Sequence, residues 1–454
     1  MGWFYWLKCV GKKVLPAAFV ELYRREIGKI IKEARFFTDL YRLVDKAVYG
    51  AEQPAANSEL SVLEERYNKV VVCWLPMWIV GHFCTVYHFA YQAHLKEKDE
   101  RVRYVIVPDT LKSAVGQSVP NQYLYTKFTE KLPAAIRPAT AWRAYIAKYF
   151  QKVILLGTYE TDTFYLEATK TYFSGMENGL AIPFDRPSIE FSSEERTVGQ
   201  KAMTDLGIGE KYICIFARDA AYHGEGTGDT NQVRNFDIAA FQDTAAYFWE
   251  QYDMQSVRMG AKVNKAFSCK GAVDYASMGR SEFLDAFLFS QCAFYVGNSS
   301  GIDCIARLFA KPIVAVDFPC VLPIDEPTMP YHLLIYVKWY DEERQRYLSL
   351  REIVRLQIKL KMQKPMGHGS DAFFVYVEQQ NITVVHNTPK EILDVAKEMY
   401  AVLQGTMYYT EEDELLHRRY RAIIHEETKA FRKITGNFGR VGTQWLRENT
   451  WFLE

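Results

Sequence analysis

The chain has 454 residues, about three times the usual length of one domain, so two large domains or three smaller ones are expected. Hydrophobic residues make up 49% and aromatic residues 15%, which excludes a disordered or fibrous protein. The 55 basic residues balance 55 acidic ones. No overall field therefore attracts nucleic acid, which is not an expected partner, and an anionic partner must be held by a local cluster.

The eight cysteines are scattered and form no C-x-x-C pair, so they predict reduced, buried thiols rather than a zinc site. No apolar run reaches the roughly 18 residues that span a bilayer, and the first residues lack the order of a signal peptide. The chain is therefore expected to be cytoplasmic, without a membrane span.

Residues 1–60 are predicted to form a separate helical extension that is aromatic and basic. Residues 1–35 carry eight basic side chains against three acidic ones, and Trp3, Leu7 and Val10 recur at helical spacing. Such a helix suits the interface of an anionic membrane, which would make the protein peripheral on the inner face of the cytoplasmic membrane. Packing on the protein's own body, or on a second subunit, is the alternative.

Short apolar runs alternate with helical patterns in the body of the chain. The predicted strands are 70–74, 104–107, 153–156, 212–216, 255–258, 294–296, 313–316 and 333–337. Buried strands that alternate with helices indicate parallel sheets covered on both faces. The predicted fold class is therefore α/β, with two Rossmann-like doubly wound domains at 61–190 and 191–405 and C-terminal helices at 406–454.

Candidate ligand contacts follow the strands of the second domain. In an open parallel sheet, ligands bind beyond the carboxyl ends of the strands. Arg218 directly follows the strand 212–216, and Arg258 ends the next strand, with Gly260 close behind. If both arginines project over the same edge, they offer fork-shaped donors suited to a diphosphate.

The third strand end carries a turn of small residues, Gly297 to Gly301, which includes Asn298, Ser299 and Ser300. Their lack of bulk lets backbone approach a ligand, and the helix after them aims free N–H groups at an anion. A plain strand-to-helix turn is the alternative. Asp303 would repel a phosphate, so it is expected to cap this helix or to accept a sugar hydroxyl.

Further candidates lie in a glycine-rich loop and in the first domain. Arg234 and Asn235 stand at the far end of the loop that follows the strand 212–216. His82 follows the strand 70–74 near the start of a helix, where it could act as a general base or could be an oriented core histidine. The sequence contains no H-E-x-x-H and no D-x-D pattern, so no bound metal is predicted.

Several of these segments together resemble a family of bacterial surface-glycan glycosyltransferases. The likeness is carried by Phe216-Ala-Arg-Asp219, Arg234-Asn-Phe-Asp237, Arg258-Met-Gly260 and Gly297-Asn-Ser-Ser-Gly301, in that order and spacing. It covers residues 65 to 405. In the first domain the chain departs from the family's R-I-G-H-L pattern, because Trp78-Ile-Val-Gly-His82 stands there, which weakens the inference for His82.

The resemblance implies a GT-B architecture, with the acceptor bound by the first domain, the nucleotide-sugar donor by the second, and a final helix crossing back. It implies transfer of a sugar to a surface-glycan or lipid-linked acceptor without a metal or another cofactor. Under this mechanism Arg218, Arg258 and the turn 299–301 hold the donor diphosphate. His82 or Asp219 then activates the acceptor hydroxyl.

Two other functions stay open at this point. A nucleotide-sugar epimerase of the UDP-GlcNAc 2-epimerase type uses a similar two-domain fold, and it would isomerise its donor without any acceptor. A non-catalytic scaffold of a glycan-assembly complex would keep the fold and turn over no donor.

Overall fold

The computed structural model describes residues 66–77, 80–109, 119–134, 153–156, 186–219, 221, 232–298, 300–319, 332–363, 369–428 and 439–454. The chain divides into two compact units, residues 1–182 and 183–454. The predicted helical extension at 1–60, and with it the proposed membrane contact, lies outside the described residues.

The first unit is built on a parallel three-stranded sheet. Its strands are β1 (Lys69–Pro76), β2 (Val102–Asp109) and β3 (Val153–Leu156), in the order β2-β1-β3. Helix α1 (Val80–Lys96) follows β1, and α2 (Gln122–Lys131) follows β2. The apolar residues 70–73 of the central strand are buried, as expected for a parallel sheet covered on both faces.

The second unit contains a seven-stranded sheet in the order β13-β9-β8-β7-β4-β5-β6, and every pair is parallel. Its strands are β4 (Tyr212–Phe216), β5 (Gln255–Arg258), β6 (Ala272–Val273), β7 (Tyr295–Asn298), β8 (Ile313–Phe318), β9 (His332–Tyr336) and β13 (Arg440–Val441). From β6 to β9 the chain order is the doubly wound 3-2-1-4-5-6. The predicted α/β class and doubly wound parallel sheet are confirmed here.

Nine described helices accompany this sheet. They are α3 (Ser193–Asp205), α4 (Gln242–Tyr252), α5 (Glu282–Gln291), α6 (Asp303–Leu308), α7 (Leu350–Gln363), α8 (Gly369–Gln379), α9 (Pro389–Leu403), α10 (Glu411–Thr428) and α11 (Thr443–Glu448). Ser192 and Thr388 form capping boxes with Glu195 and Glu391, which fix the starts of α3 and α9.

A small antiparallel sheet of the second unit is not predicted from the sequence. It consists of β10 (Lys338–Asp341), β11 (Arg346–Tyr347) and β12 (Ile382–Val385), in the order β11-β10-β12. Because β11 has two residues and β12 is only partly buried, no long apolar run marks either strand. Because β12 pairs with β10, this sheet determines the position of the residues that follow β12.

The C-terminal residues pack on the second unit. β13 pairs with β9 at one edge of the large sheet, α10 contacts α7, and α11 contacts α9. The prediction that a final helix crosses back to the first domain stays a prediction.

Six cysteines lie within the described residues, and all six are free thiols. Cys73, Cys84, Cys214 and Cys292 are buried, which agrees with the prediction of reduced, buried thiols. In the same residues, no helix combines the length and the apolar character needed to cross a bilayer.

A buried histidine of α10 predicts how the fold responds to acid. His417 is 1% exposed, and burial, followed by the nearby Arg440 and Arg421, lowers its pKa to about 3. In the unfolded chain this pKa is near 6.5, so the unfolded state binds more protons as the pH falls below that value. The expected cost is roughly 3 to 5 kcal/mol of stability between pH 6.5 and pH 3.

His417→Gln, which removes the titrating group, should shift the midpoint of acid unfolding to lower pH, as followed by circular dichroism. Unchanged acid unfolding of this variant would contradict the assignment. His425 of the same helix is exposed, so His425→Gln serves as the control and should leave the acid midpoint where it is.

Candidate functional site

The order of the large sheet reverses between β4 and β7. These strands are neighbours, with Cys214 opposite Tyr295 and Phe216 opposite Gly297. Because the sheet is parallel, all its carboxyl ends share one edge, and the reversal of strand order opens a crevice at that edge. Arg218 lies two residues beyond β4, and Asn298 is the last residue of β7. Two predicted site residues therefore meet at the reversal.

Asn298 fastens this edge together. Its side chain is 2% exposed, and its Oδ1 accepts the backbone N–H of Arg218 at 2.8 Å. Its Nδ2 donates to the backbone carbonyl of Arg234 at 2.6 Å. The carbonyl of Arg218 accepts the N–H of Phe236 at 2.8 Å. Asn298 thus positions the main chain of the segment 232–236 against the end of β4.

The guanidinium of Arg218 is held at the same place. The residue is 7% exposed, and its Nη1 donates to Oδ1 of Asn235. A guanidinium carries five N–H donors in one plane, so a bond to Asn235 that fixes the plane is compatible with further bonds to phosphate oxygens. The structure therefore brings together Arg218, Asn235, Asn298 and the main chain of Arg234, all of which the sequence singles out.

Asp219 anchors two loops to each other. One carboxylate oxygen accepts the N–H of Ala221 at 2.9 Å, and the other accepts the N–H of Asn264 at 2.8 Å. The carboxylate thereby joins the chain after β4 to the chain after β5. Its predicted role as a catalytic base stays a prediction.

Arg258, the last residue of β5, contacts the segment 265–274. It is 1% exposed and lies opposite Ile215 within the sheet. Its Nη1 donates to the carbonyl of Lys265 and is 3.4 Å from Oδ1 of Asp274. Asp274 also accepts the N–H of Phe267 at 2.9 Å. These bonds fix the loop between β5 and β6. The predicted contact of Arg258 with the donor diphosphate stays a prediction.

Gly260 has a conformational role just beyond β5. Its φ of 152° is one that side chains rarely adopt, and an added Cβ would lie 3.0 Å from Cγ1 of Val263. Glycine therefore lets the chain turn away from the strand end. Its predicted contact with a donor stays a prediction.

The structure describes residues 297–298 and 300–301 of the small-residue turn, and the first two of these belong to β7. A Cβ at Gly297 would lie 2.1 Å from the hydroxyl of Tyr295 and 2.9 Å from the carbonyl of Phe216, so close packing of β7 on β4 requires this glycine. Ser300 and Gly301 are half-buried, whereas Ser299 lies outside the described residues.

The helix that follows the turn is α6, and Asp303 is the first of its six residues. Oδ2 of Asp303 accepts Nη2 of Arg307 at 2.8 Å and Nε at 3.2 Å. The carboxylate is thus neutralised by a partner one turn along the helix. Its predicted roles, a cap of this helix or a contact with a sugar hydroxyl, stay predictions.

His82 is the third residue of α1. Its side chain lies outside the described part, so its role as a base stays a prediction. Within the described ranges, no group of three or more His, Cys, Asp or Glu side chains could hold a metal ion.

One pair at the same edge is not singled out by the sequence analysis. Asp317 lies at the end of β8, and its Oδ2 is 2.6 Å from Nδ1 of His386, the residue that follows β12. The strand-end rule points to Asp317. No such signal marks His386, because β12 belongs to the small sheet.

Asn298→Ala should destabilise the protein by about 2 to 4 kcal/mol, because it removes the hydrogen-bond partner of one buried and one part-buried main-chain group. These are the N–H of Arg218 and the carbonyl of Arg234. Urea unfolding measures the loss, and Gln380→Ala at an exposed position provides the control, with a change within about 0.5 kcal/mol. Equal stability of the two variants would contradict this structural role of Asn298.

No protein-family model matches the sequence, and no curated protein sequence matches it either. Among solved structures, the chain is similar to the glycosyl transferase family 9 from Veillonella parvula, at 13% identity and a TM-score of 0.43, over 75% of this chain and 99% of that one. It is similar to E. coli ADP-heptose lps heptosyltransferase II, at 13% identity and a TM-score of 0.37, over 59% and 90% of the two chains.

The chain is also similar to the dodecameric iron-containing heptosyltransferase TibC in complex with ADP-D-beta-D-heptose, at 16% identity and a TM-score of 0.30, over 59% of this chain and 63% of that one. All three are glycosyltransferases, the class of enzyme that the sequence motifs resemble. At identities of 13 to 16%, none of these likenesses assigns a substrate or a residue role to this chain.

Proposed function

We propose that this protein is a glycosyltransferase whose second unit binds the diphosphate of a nucleotide-sugar donor between the ends of β4 and β7. The observation that carries the proposal is Arg218, a buried residue at the point where the doubly wound sheet reverses its order. Asn298 accepts its backbone N–H, and Asn235 accepts a hydrogen bond from its guanidinium. The motifs behind the family resemblance supply these same three residues.

The chemistry needs positive charge at this place. In glycosyl transfer, the acceptor oxygen bonds to the anomeric carbon while the bond from that carbon to the donor phosphate breaks. The electron pair leaves with the nucleoside diphosphate, whose negative charge therefore grows. Two parallel N–H donors of Arg218 would stabilise this charge, and the small residues Ser300 and Gly301 would allow backbone to approach it.

We propose that the acceptor is a surface glycan or a lipid-linked saccharide, and that His82 removes the proton of its hydroxyl. Support for the acceptor class comes from the resemblance and from the basic, aromatic residues 1–35, which suit an anionic membrane surface. A vesicle flotation assay that compares the full chain with a variant lacking residues 1–35 tests this contact. Flotation of both forms to the same extent would contradict it.

We further propose that transfer needs no metal ion, because a guanidinium supplies the charge that a metal would supply and the sequence has no D-x-D pattern. Turnover in excess EDTA should stay within about twofold of the untreated rate, since no step depends on a removable cation. Loss of turnover that Mg²⁺ or Mn²⁺ restores would contradict this.

The proposed function is tested by a thermal-shift panel of ADP, GDP, UDP, CMP and dTDP sugars on the full chain. One nucleotide class should raise the midpoint, and that donor should release its nucleotide only when an acceptor extract is added. Isomerised donor in the absence of acceptor would instead identify an epimerase. If no nucleotide-sugar raises the midpoint and none is turned over, the protein is a non-catalytic scaffold.

A further inference from the structure

The end of β8 is shaped around one carboxylate. The register between β8 and β9 is irregular between Ala315 and Phe318, and Asp317 within this bulge has a φ of 53°. Bulges of this kind re-aim a side chain, and left-handed backbone is uncommon for any residue other than glycine. Asp317 therefore turns away from the strand path, and its side chain is buried.

A reciprocal pair of bonds fixes this carboxylate. The N–H of Asp317 donates to Oδ1 of Asn387 at 2.6 Å, and the N–H of Asn387 donates to Oδ1 of Asp317 at 2.9 Å. Nδ2 of Asn387 donates to the carbonyl of Tyr336 on β9 at 2.8 Å. Oδ1 of Asp317 is thus committed to the main chain, and Oδ2 is the oxygen that faces His386.

The imidazole of His386 is held on two sides. Its Nδ1 is 2.6 Å from Oδ2 of Asp317, and its ring meets the ring of Phe236 edge to face, with centroids 5.5 Å apart. The side chain is nevertheless 41% exposed. Since Asp317 occupies Nδ1, a ligand would contact the other ring nitrogen, Nε2.

This ring lies beside the proposed donor site. Phe236 follows Asn235 in the chain, and its N–H donates to the carbonyl of Arg218 at 2.8 Å. The carboxyl ends of β8 and β7 are neighbours, with Asn298 opposite Val316. His386 therefore stands at the same edge of the sheet, one strand along from the reversal.

We propose that His386 binds the diphosphate of the donor through Nε2, and that Asp317 is the positioning residue that holds its ring. This inference rests on the proposed function. A protonated imidazole donates a charge-assisted hydrogen bond to a phosphate oxygen, and a carboxylate on the opposite nitrogen stabilises that protonated form. The site would thus combine a permanent cation, Arg218, with a titratable one.

The direction of the titration agrees with this role. The hydrogen bond from the ring to the carboxylate of Asp317 raises the pKa of His386, and burial opposes it more weakly. Within the described residues, Asp317 is the charged group that shifts this pKa, since Asp237 is paired with Lys265 and Lys390 with carboxylates of α9 and α11. The charged contact is therefore present below pH 6.5 and is lost as the pH rises through the raised pKa.

The test compares three proteins over the pH range 5.5 to 9 by isothermal titration with inorganic pyrophosphate, ADP, GDP and UDP. They are the full-length wild type, His386→Gln, which cannot become cationic, and Arg218→Ala. The ratio of the two dissociation constants, His386→Gln over wild type, cancels the ionisation of the ligand itself. We expect a ratio of about 10 at pH 5.5 that falls toward 1 at pH 9.

A ratio near 1 at every pH, or a ratio that does not change with pH, would overturn the inference. Even when the inference about His386 is overturned in this way, the proposed function is retained if wild type binds these ligands and Arg218→Ala does not. If wild type binds none of the four ligands, the proposed function and this inference both fail.

An NMR titration of Asp317→Asn and wild type tests the positioning role of Asp317, and added pyrophosphate tests for a direct contact that a purely structural pair would not make. Asparagine tolerates the left-handed backbone and can still accept the N–H of Asn387. It removes the charge that favours the protonated ring. In an NMR titration the pKa of His386 should fall in this variant, and in wild type it should rise when pyrophosphate is added. No change on addition of pyrophosphate, while the ligand is bound, would count against a direct contact.

Discussion

Replacing Arg218 with alanine should weaken binding of the nucleotide-sugar by about 10- to 100-fold, because charge-assisted bonds to the diphosphate disappear. The fold should tolerate the change, since the backbone N–H and carbonyl of residue 218 keep their bonds to Asn298 and Phe236. Isothermal titration with the donor identified by thermal shift measures the effect, and circular dichroism confirms that the variant is folded.

Two further variants give this result its meaning. Arg218→Lys keeps the charge but not the planar fork, so its affinity should lie between those of wild type and Arg218→Ala. Arg196→Ala removes an exposed arginine of α3 and should bind like wild type. Wild-type affinity in Arg218→Ala would remove the central residue from the proposed site.

Replacing Arg258 with methionine should reduce the stability of the fold, by about 3 to 5 kcal/mol, rather than act on donor affinity. Methionine fills part of the volume but leaves Asp274 without its buried cationic partner and frees the carbonyl of Lys265. Removing one member of a buried ion pair costs more than the pair contributes, because the remaining charge stays in the interior. Urea unfolding measures the change.

The companion variant Asp274→Asn and the double variant complete a mutant cycle. The double variant should recover part of the lost stability, because it removes the uncompensated carboxylate. A stable Arg258→Met that selectively loses nucleotide-sugar affinity would show instead that this arginine contacts the donor, as the sequence alone suggests.

These two arginines mark how far the sequence predicts the site. Arg218 follows an apolar run and Arg258 a short run that ends in Ser256 and Val257, so each predicts the end of a strand. The edge on which each arginine lies follows from parallel pairing. The direction of each guanidinium depends on its partners. Asp274 lies 16 residues beyond Arg258, in a loop without periodicity, and its position cannot be derived from strand order.

The contact between His386 and Asp317 is even harder to predict from the sequence. Its two members are 69 residues apart in the chain, and they meet because β12 pairs with β10 in a small sheet of short strands. By contrast, a helix start depends on neighbouring residues: the capping boxes at Ser192 and Thr388 each join two residues three positions apart. Local chemistry is readable from the sequence, whereas contacts between distant loops require the fold.

The most direct test of the donor site is hydrogen-deuterium exchange of the full chain, with and without the nucleoside diphosphate of the selected donor. Binding between the ends of β4 and β7 predicts slower exchange in peptides covering residues 212–219 and 295–305, and less slowing in Arg218→Ala at the same ligand concentration. Slower exchange confined to residues 66–134, with these two peptides unchanged, would contradict the account.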